Sequence, residues 1–167
     1  AEVEEVVRRT EPAAVVVMGE KPDGVPVQGS GCFVHPSGIA LTSLHQVDGL
    51  VNIHVISSDG ARHAASVLAT DPAHDVALLK TDATPQRWAW IGDTAGLKSG
   101  AAVIAIAAPE NLQFSTVTGI VSNPGRTYKG MRVMQSDVPA EPGSSGGPVF
   151  DADGALIGLI MGRLENQ

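Results

Sequence analysis

The chain has 167 residues, 43% of them apolar, which suffices for one compact domain or two small fused halves. Eighteen acidic residues against eleven basic give a net charge of −7 and no Lys/Arg cluster beyond Arg8–Arg9, so the basic face that a nucleic-acid partner requires is excluded. No apolar run approaches the ~20 residues that span a bilayer, and a single cysteine, Cys32, rules out an internal disulfide, a zinc knuckle or a redox pair.

Residues 1–10 read as a short helix without the basic-then-apolar order of a secretion signal, so the protein is expected either to be cytosolic or to begin after a removed leader. Six short β-branched runs follow, at 14–19, 28–34, 39–44, 50–57, 62–70 and 76–81, with turn sequences such as KPDG, HPSG and SSDG between them. Residues 83–100 hold Trp88 and Trp90 amid Pro, Gly and Asp, and read as a crossing linker whose tryptophans pack between two halves. Five more strands are predicted at 101–108, 113–122, 131–138, 147–151 and 155–162. Many short strands and few helices indicate an all-β fold of two antiparallel barrels, divided as 1–82, 83–100 and 101–167, with any site in the cleft between them.

The stretch PGSSGGPV at 142–149 has almost no side-chain bulk to pack. Glycine permits positive φ and close approach of backbone, so the run is either a plain turn or an elbow that presents a serine among inward-facing amides. Ser145 has Gly143 before it and Gly146 and Gly147 after it, which leaves room for a carbonyl carbon and lets the Gly143 and Ser145 amides converge on an oxyanion. His45 closes the apolar run IALTSLHQV and is expected at a strand's rim, while Asp75 stands just before VALLK. A hydroxyl, an imidazole to take its proton and a carboxylate to fix the imidazole's tautomer are the parts of nucleophilic acyl transfer. Cys32 reads as core, His35 as part of the HPSG turn, and His54 and His63 as solvent-facing strand residues. His74 reads either as an exposed loop histidine or as a metal ligand, since imidazole near a carboxylate suits transition metals.

The blocks GSGCFVHPSGIALTSLHQV, DPAHDVALLK and QSDVPAEPGSSGGPVFDADGALIGL resemble the three signature blocks of trypsin-like serine proteases, in the variety of the bacterial HtrA/Deg family. The likeness runs from about residue 10 to 162. It implies two six-stranded-type antiparallel barrels, with His45 as general base, Asp75 as its orienter, Ser145 as nucleophile, and the Gly143 and Ser145 N–H groups as oxyanion hole. It implies no metal or cofactor, a protein or peptide substrate, and the bacterial periplasm or cell envelope. A homo-oligomer, a membrane anchor and a PDZ domain outside this chain stay open. Where trypsin-type enzymes keep an aspartate for basic side chains, six residues before the nucleophile, this chain has Pro139. With Ala140 and Ile160 as further pocket residues, cleavage after small or medium aliphatic residues is expected. The family runs on past GLIMGR into a strand that closes the second barrel, so that barrel is expected to lack its closing strand here. His74 stands where the family has a small polar residue. Because the family also holds repurposed members, including magnetosome-associated ones that bind transition metals, a non-proteolytic scaffold binding peptide or metal is the alternative.

Overall fold

The computed structural model describes residues 2–108, 114–128 and 130–161. Helix α1 (Val3–Thr10) leads through a single 3-10 turn into six strands: β1 (Ala14–Glu20), β2 (Pro26–His35), β3 (Ile39–Ser43), β4 (Val51–Ile56), β5 (Arg62–Asp71) and β6 (Val76–Thr81), with a one-turn helix α2 (Leu44–Val47) between β3 and β4. They close into an antiparallel barrel in the order β1-β2-β3-β6-β5-β4. Strands β7 (Ala102–Ala107), β8 (Ser115–Tyr128), β9 (Met131–Ser136), β10 (Pro148–Asp151) and β11 (Leu156–Leu159) form a second, curled sheet in the order β11-β10-β7-β8-β9. Among the described residues no helix is long and apolar enough to cross a membrane.

Alternation along each strand divides the side chains among three cores. Val15 and Val17 of β1 and Phe33 of β2 point into the first barrel, where they meet Val55, Ala77 and Leu79. Their neighbours Ala14 and Cys32 point the opposite way, onto Ile106, Phe150 and Leu156 of the second sheet. On β7, Ile106 joins this seam, while Val103, Ala105 and Ala107 face a third cluster with Val121, Val149 and Ile160. A strand buried on both faces has no room for polar alternation, which explains the unbroken AVVV and AVIAIA runs. Full burial of side chains such as Phe150 and Ile106 stabilises the seam by about 1.5–3 kcal/mol each.

Helix α1 carries Glu4 and Glu5 in its first turn and Arg8 and Arg9 in its last, the order that complements the helix dipole. Its buried Val6 lies over Gly154, in the turn between β10 and β11, and Arg9 donates a hydrogen bond to the Asp153 carbonyl at 3.3 Å. The helix that opens the chain thus rests on the second sheet while its successor β1 builds the first.

Three features depart from the sequence expectation. The strand expected over 39–44 stops at Ser43, and His45, expected at its rim, sits in the one-turn helix α2. Strand β8 continues through Asn123, Pro124 and Gly125 to Tyr128, because register shifts fall on both sides of Asn123 and leave the proline with no ladder bond to donate. The tryptophans do not both pack between the halves. Trp88 packs against the first core, but Trp90 is 74% exposed and Ile91 70% exposed. Residues 90–92 instead run parallel to the start of β11, with Leu156 N–H donating to Trp90 O at 2.7 Å and Gly92 N–H to Leu156 O at 2.8 Å. Residue 162, the last of the expected final strand, and 113, the first of the expected eighth, lie outside the described residues.

Candidate active site

Asp75 organises the first half of the site. Its backbone is left-handed, with φ at 55°, a conformation in which aspartate is among the few tolerated side chains. In that pose its carbonyl accepts the Leu44 N–H at 3.0 Å and Oδ1 accepts the His45 N–H at 2.8 Å, so the first turn of α2 is fastened to β6. Oδ2 stands 2.5 Å from His45 Nδ1. A carboxylate only accepts, so Nδ1 bears a proton, and the neutral tautomer with that proton has its lone pair at Nε2. Across the seam, Ser145 Oγ lies 2.8 Å from that Nε2, where the hydroxyl donates to the lone pair of the Nδ1–H tautomer. The Asp75 side chain is 16% exposed and the His45 side chain 48%, so the carboxylate is shielded while the imidazole opens to solvent and to any incoming chain.

The turn that presents Ser145 is locked on every side. Gly143 and Gly146 have φ of 86° and 88°, values open to glycine. A Cβ on Gly146 would collide with the Ser30 carbonyl oxygen and sit 2.5 Å from Thr42 Oγ1, so the elbow presses directly onto the first barrel. Ser145 O accepts the Ser30 N–H at 2.8 Å, Gly146 N–H donates to Ile160 O at 2.7 Å, and Ile160 N–H returns to Gly147 O at 2.8 Å. Buried Ser144 turns its hydroxyl inward, donating to Glu141 O at 2.6 Å and accepting the Glu141 N–H at 2.9 Å. Among the hydrogen bonds of the described residues, neither the Gly143 nor the Ser145 N–H donates one.

The three expected pocket residues divide between two spaces. Ala140 and Ile160 line a groove of about 840 Å³ that passes beside Asp75 and between β9 and β11. Pro139 faces a separate 90 Å³ cavity beneath the elbow, with Ser144 and, again, Ile160 in its wall. His74 Nδ1 lies 2.8 Å from Asp71 Oδ2, and the ring holds the Asp71 carboxyl below its ordinary range, chiefly through that hydrogen bond. No group of three or more His, Cys, Asp or Glu residues able to hold a metal ion occurs among the described residues.

A second set of the same residue types occurs on the outside of the first barrel. Ser57 Oγ is 3.3 Å from His63 Nε2, and His63 Nδ1 is 3.2 Å from Asp82 Oδ1. There the Ser57 hydroxyl donates to Asp59, so its proton is committed to a carboxylate and not offered to the imidazole. Residue types alone therefore do not make a site; the direction of the serine's hydrogen bond separates the two sets. Ser30 braces the elbow although the sequence does not single it out; the signal present for it is its place between two glycines at the head of the GSGCFV block.

A barrel docked on a curled sheet, with serine, histidine and aspartate meeting at the seam, is the arrangement of trypsin-like peptidases. The chain belongs to the trypsin-like peptidase domain family, whose model matches residues 29–159. A protein of Marinomonas sp. (strain MWYL1) named a probable periplasmic serine endoprotease, DegP-like, is 38% identical over 134 residues, which cover 78% of this chain and 29% of that protein. One of the same name from Chlamydia pneumoniae is 34% identical over 145 residues, or 84% of this chain and 30% of that one. Among solved structures, the HtrA-type protease AlgW with a tripeptide superposes with a TM-score of 0.88 at 30% identity, covering 95% of this chain and 54% of that one. A serine endoprotease from Yersinia pestis superposes at 0.85 with 28% identity, covering 100% and 60%. The chain spans under a third of the curated relatives and a little over half of AlgW.

Proposed function

We propose that this chain is the protease portion of an HtrA/DegP-type serine endopeptidase, with His45, Asp75 and Ser145 as its catalytic triad. The observation that carries the reading is the continuous line from Ser145 Oγ through the His45 ring to Asp75, at 2.8 and 2.5 Å, beside two amides that donate no hydrogen bond among the described residues. Ser145 Oγ attacks the scissile carbonyl carbon as its proton passes to His45 Nε2, and the carbonyl oxygen takes up negative charge. The Gly143 and Ser145 N–H groups receive that charge, a contribution of roughly 3–4 kcal/mol for each such donor. Collapse breaks the C–N bond, and the imidazolium gives its proton to the leaving amine. Water, deprotonated by the same imidazole, then releases the acyl group. Asp75 keeps the tautomer and stabilises the imidazolium throughout.

Ala140 and Ile160 pack with Met134, Val138 and Ile157, and Pro139 itself offers no charge; this apolar cluster, with Glu141 and Arg132 elsewhere in the linings, supports cleavage after small or medium aliphatic residues of protein or peptide substrates. The names of the relatives support the bacterial periplasm as the setting. The division at 1–82, 83–100 and 101–167 assigns base and orienter to the first unit and nucleophile to the last. A fluorophosphonate probe tests the reading. Labelling at Ser145, abolished in Ser145→Ala and in His45→Ala, is expected; a chain that hydrolyses peptides with Ser145→Ala in place overturns it. Digestion of a peptide library tests the pocket, and consistent cleavage after Arg or Lys refutes the aliphatic assignment.

A further inference from the structure

We infer that Ser30 is a positioning residue for catalysis, latching the Gly143–Ser144 peptide so that the amides on either side of it stay turned toward the oxyanion; this rests on the reading of Ser145 as nucleophile.

Ser30 belongs to β2 of the first barrel and is fully buried, yet all its polar groups are used, and most of its hydrogen bonds reach the second half of the chain. Its N–H donates to Ser145 O at 2.8 Å, and its Oγ donates to Gly143 O at 2.9 Å. The same Oγ accepts the Ala108 N–H, just past the end of β7, at 3.2 Å, and its carbonyl accepts the Thr42 hydroxyl at 2.8 Å. With one donor and one acceptor each committed, the hydroxyl cannot rotate without losing a bond.

The consequence falls on the Gly143–Ser144 peptide. Its carbonyl is held by Ser30 and its N–H by Glu141 O at 3.0 Å, so both ends of the peptide plane are tied. Gly143, at φ 86°, has the freedom that permits this plane to turn over, and turning it over breaks both bonds at once. The amides of Gly143 and Ser145, which donate no hydrogen bond among the described residues, flank this plane, and their aim follows from it. Preorganised donors stabilise a transition state because no reorganisation is needed when charge appears. Ser30 supplies that preorganisation from the opposite half of the molecule and touches no reacting atom.

The test uses the whole chain, an activated peptide ester and two inhibitors. Ser30→Ala is expected to lower kcat roughly 10- to 100-fold, a part of the 10²–10³ that loss of an oxyanion donor costs, with KM within about twofold of the parent. A peptide aldehyde, which forms an oxyanion on Ser145, is expected to lose affinity in step with kcat, while the corresponding product peptide binds as before. A merely structural role would weaken both ligands. Ser30→Thr, which keeps the hydroxyl, is expected to restore the aldehyde's affinity. Should Ser30→Ala fail to fold, Ser30→Cys keeps the volume with a weak donor, and its kcat is expected below the parent's. Parental kcat and aldehyde affinity in the folded alanine variant, or in the cysteine variant if it alone folds, overturn the inference. Activity surviving in Ser145→Ala overturns the underlying reading instead.

Discussion

Asp75 shows how one residue can define a site by using every acceptor it has. Carbonyl, Oδ1 and Oδ2 each take a different hydrogen, two from backbone and one from the His45 ring. An asparagine in its place would keep the left-handed backbone and the Oδ1 bond, but its amide would donate to Nδ1 and force the imidazole proton onto Nε2, facing Ser145. Asp75→Asn is therefore expected to lower kcat by about 10³–10⁴ with an unchanged melting curve, measured by ester hydrolysis and calorimetry. Cys32 illustrates the opposite case, a reactive group made inert. Burial pushes its thiol up to about 12 from an ordinary 9.0, and its side chain serves the seam beside Ile106 and Phe150. The unfolded chain ionises first as pH rises, so stability from this residue is complete below about 9 and falls away toward 12. A thiol reagent at about pH 8, below the ordinary thiol range, is expected to leave the native protein unlabelled and to modify Cys32 upon denaturation; rapid native labelling contradicts this assignment.

At the scale of elements, α1 is a strap whose one fully buried apolar side chain is Val6, with Thr10 and Arg9 beside it against the β10–β11 turn. Val6→Ala is expected to cost about 1–3 kcal/mol, read as several degrees of Tm, with kcat retained, while Val3→Ala on the exposed side moves neither. The strands were legible because β-branched runs and Gly/Pro/Asp turns are local signals. Helix α2 was not, because four residues carry no periodicity and the turn exists through bonds to Asp75, thirty positions away. The far end of β8 was hidden by Pro124 and Gly125, which read as a turn and act as an irregularity within a strand. Trp90 misled because a large aromatic is expected to be covered, whereas its backbone, not its ring, is what the neighbouring strand uses. The positions of His45, Asp75 and Ser145 were marked by local motifs. Ser30 falls within the GSGCFV block, yet its role was not legible there, since its partner Gly143 lies 113 residues on.

The molecule as a whole is two half-sites joined at a seam. Gly146 marks how closely they meet. Gly146→Ala is expected to abolish ester hydrolysis and to destabilise more than Gly49→Ala, which has a similar positive φ but open space around it. Gly49→Ala isolates the backbone strain, roughly 1–2 kcal/mol; the excess at Gly146, seen in denaturant midpoints, reports the collision with Ser30 O and Thr42 Oγ1. Equal costs at the two positions would mean that the elbow can back away from the barrel. The seam also orders events in time. Ser145 leaves the ribosome 100 residues after His45, so a nascent polypeptide already holds the His45 imidazole and Asp75 carboxylate while it still lacks the hydroxyl that bonds to them. With Ser145 as the proposed nucleophile, the growing chain cannot carry out acyl transfer until the strands flanking the elbow, β7 and β10, have emerged and docked on the first barrel.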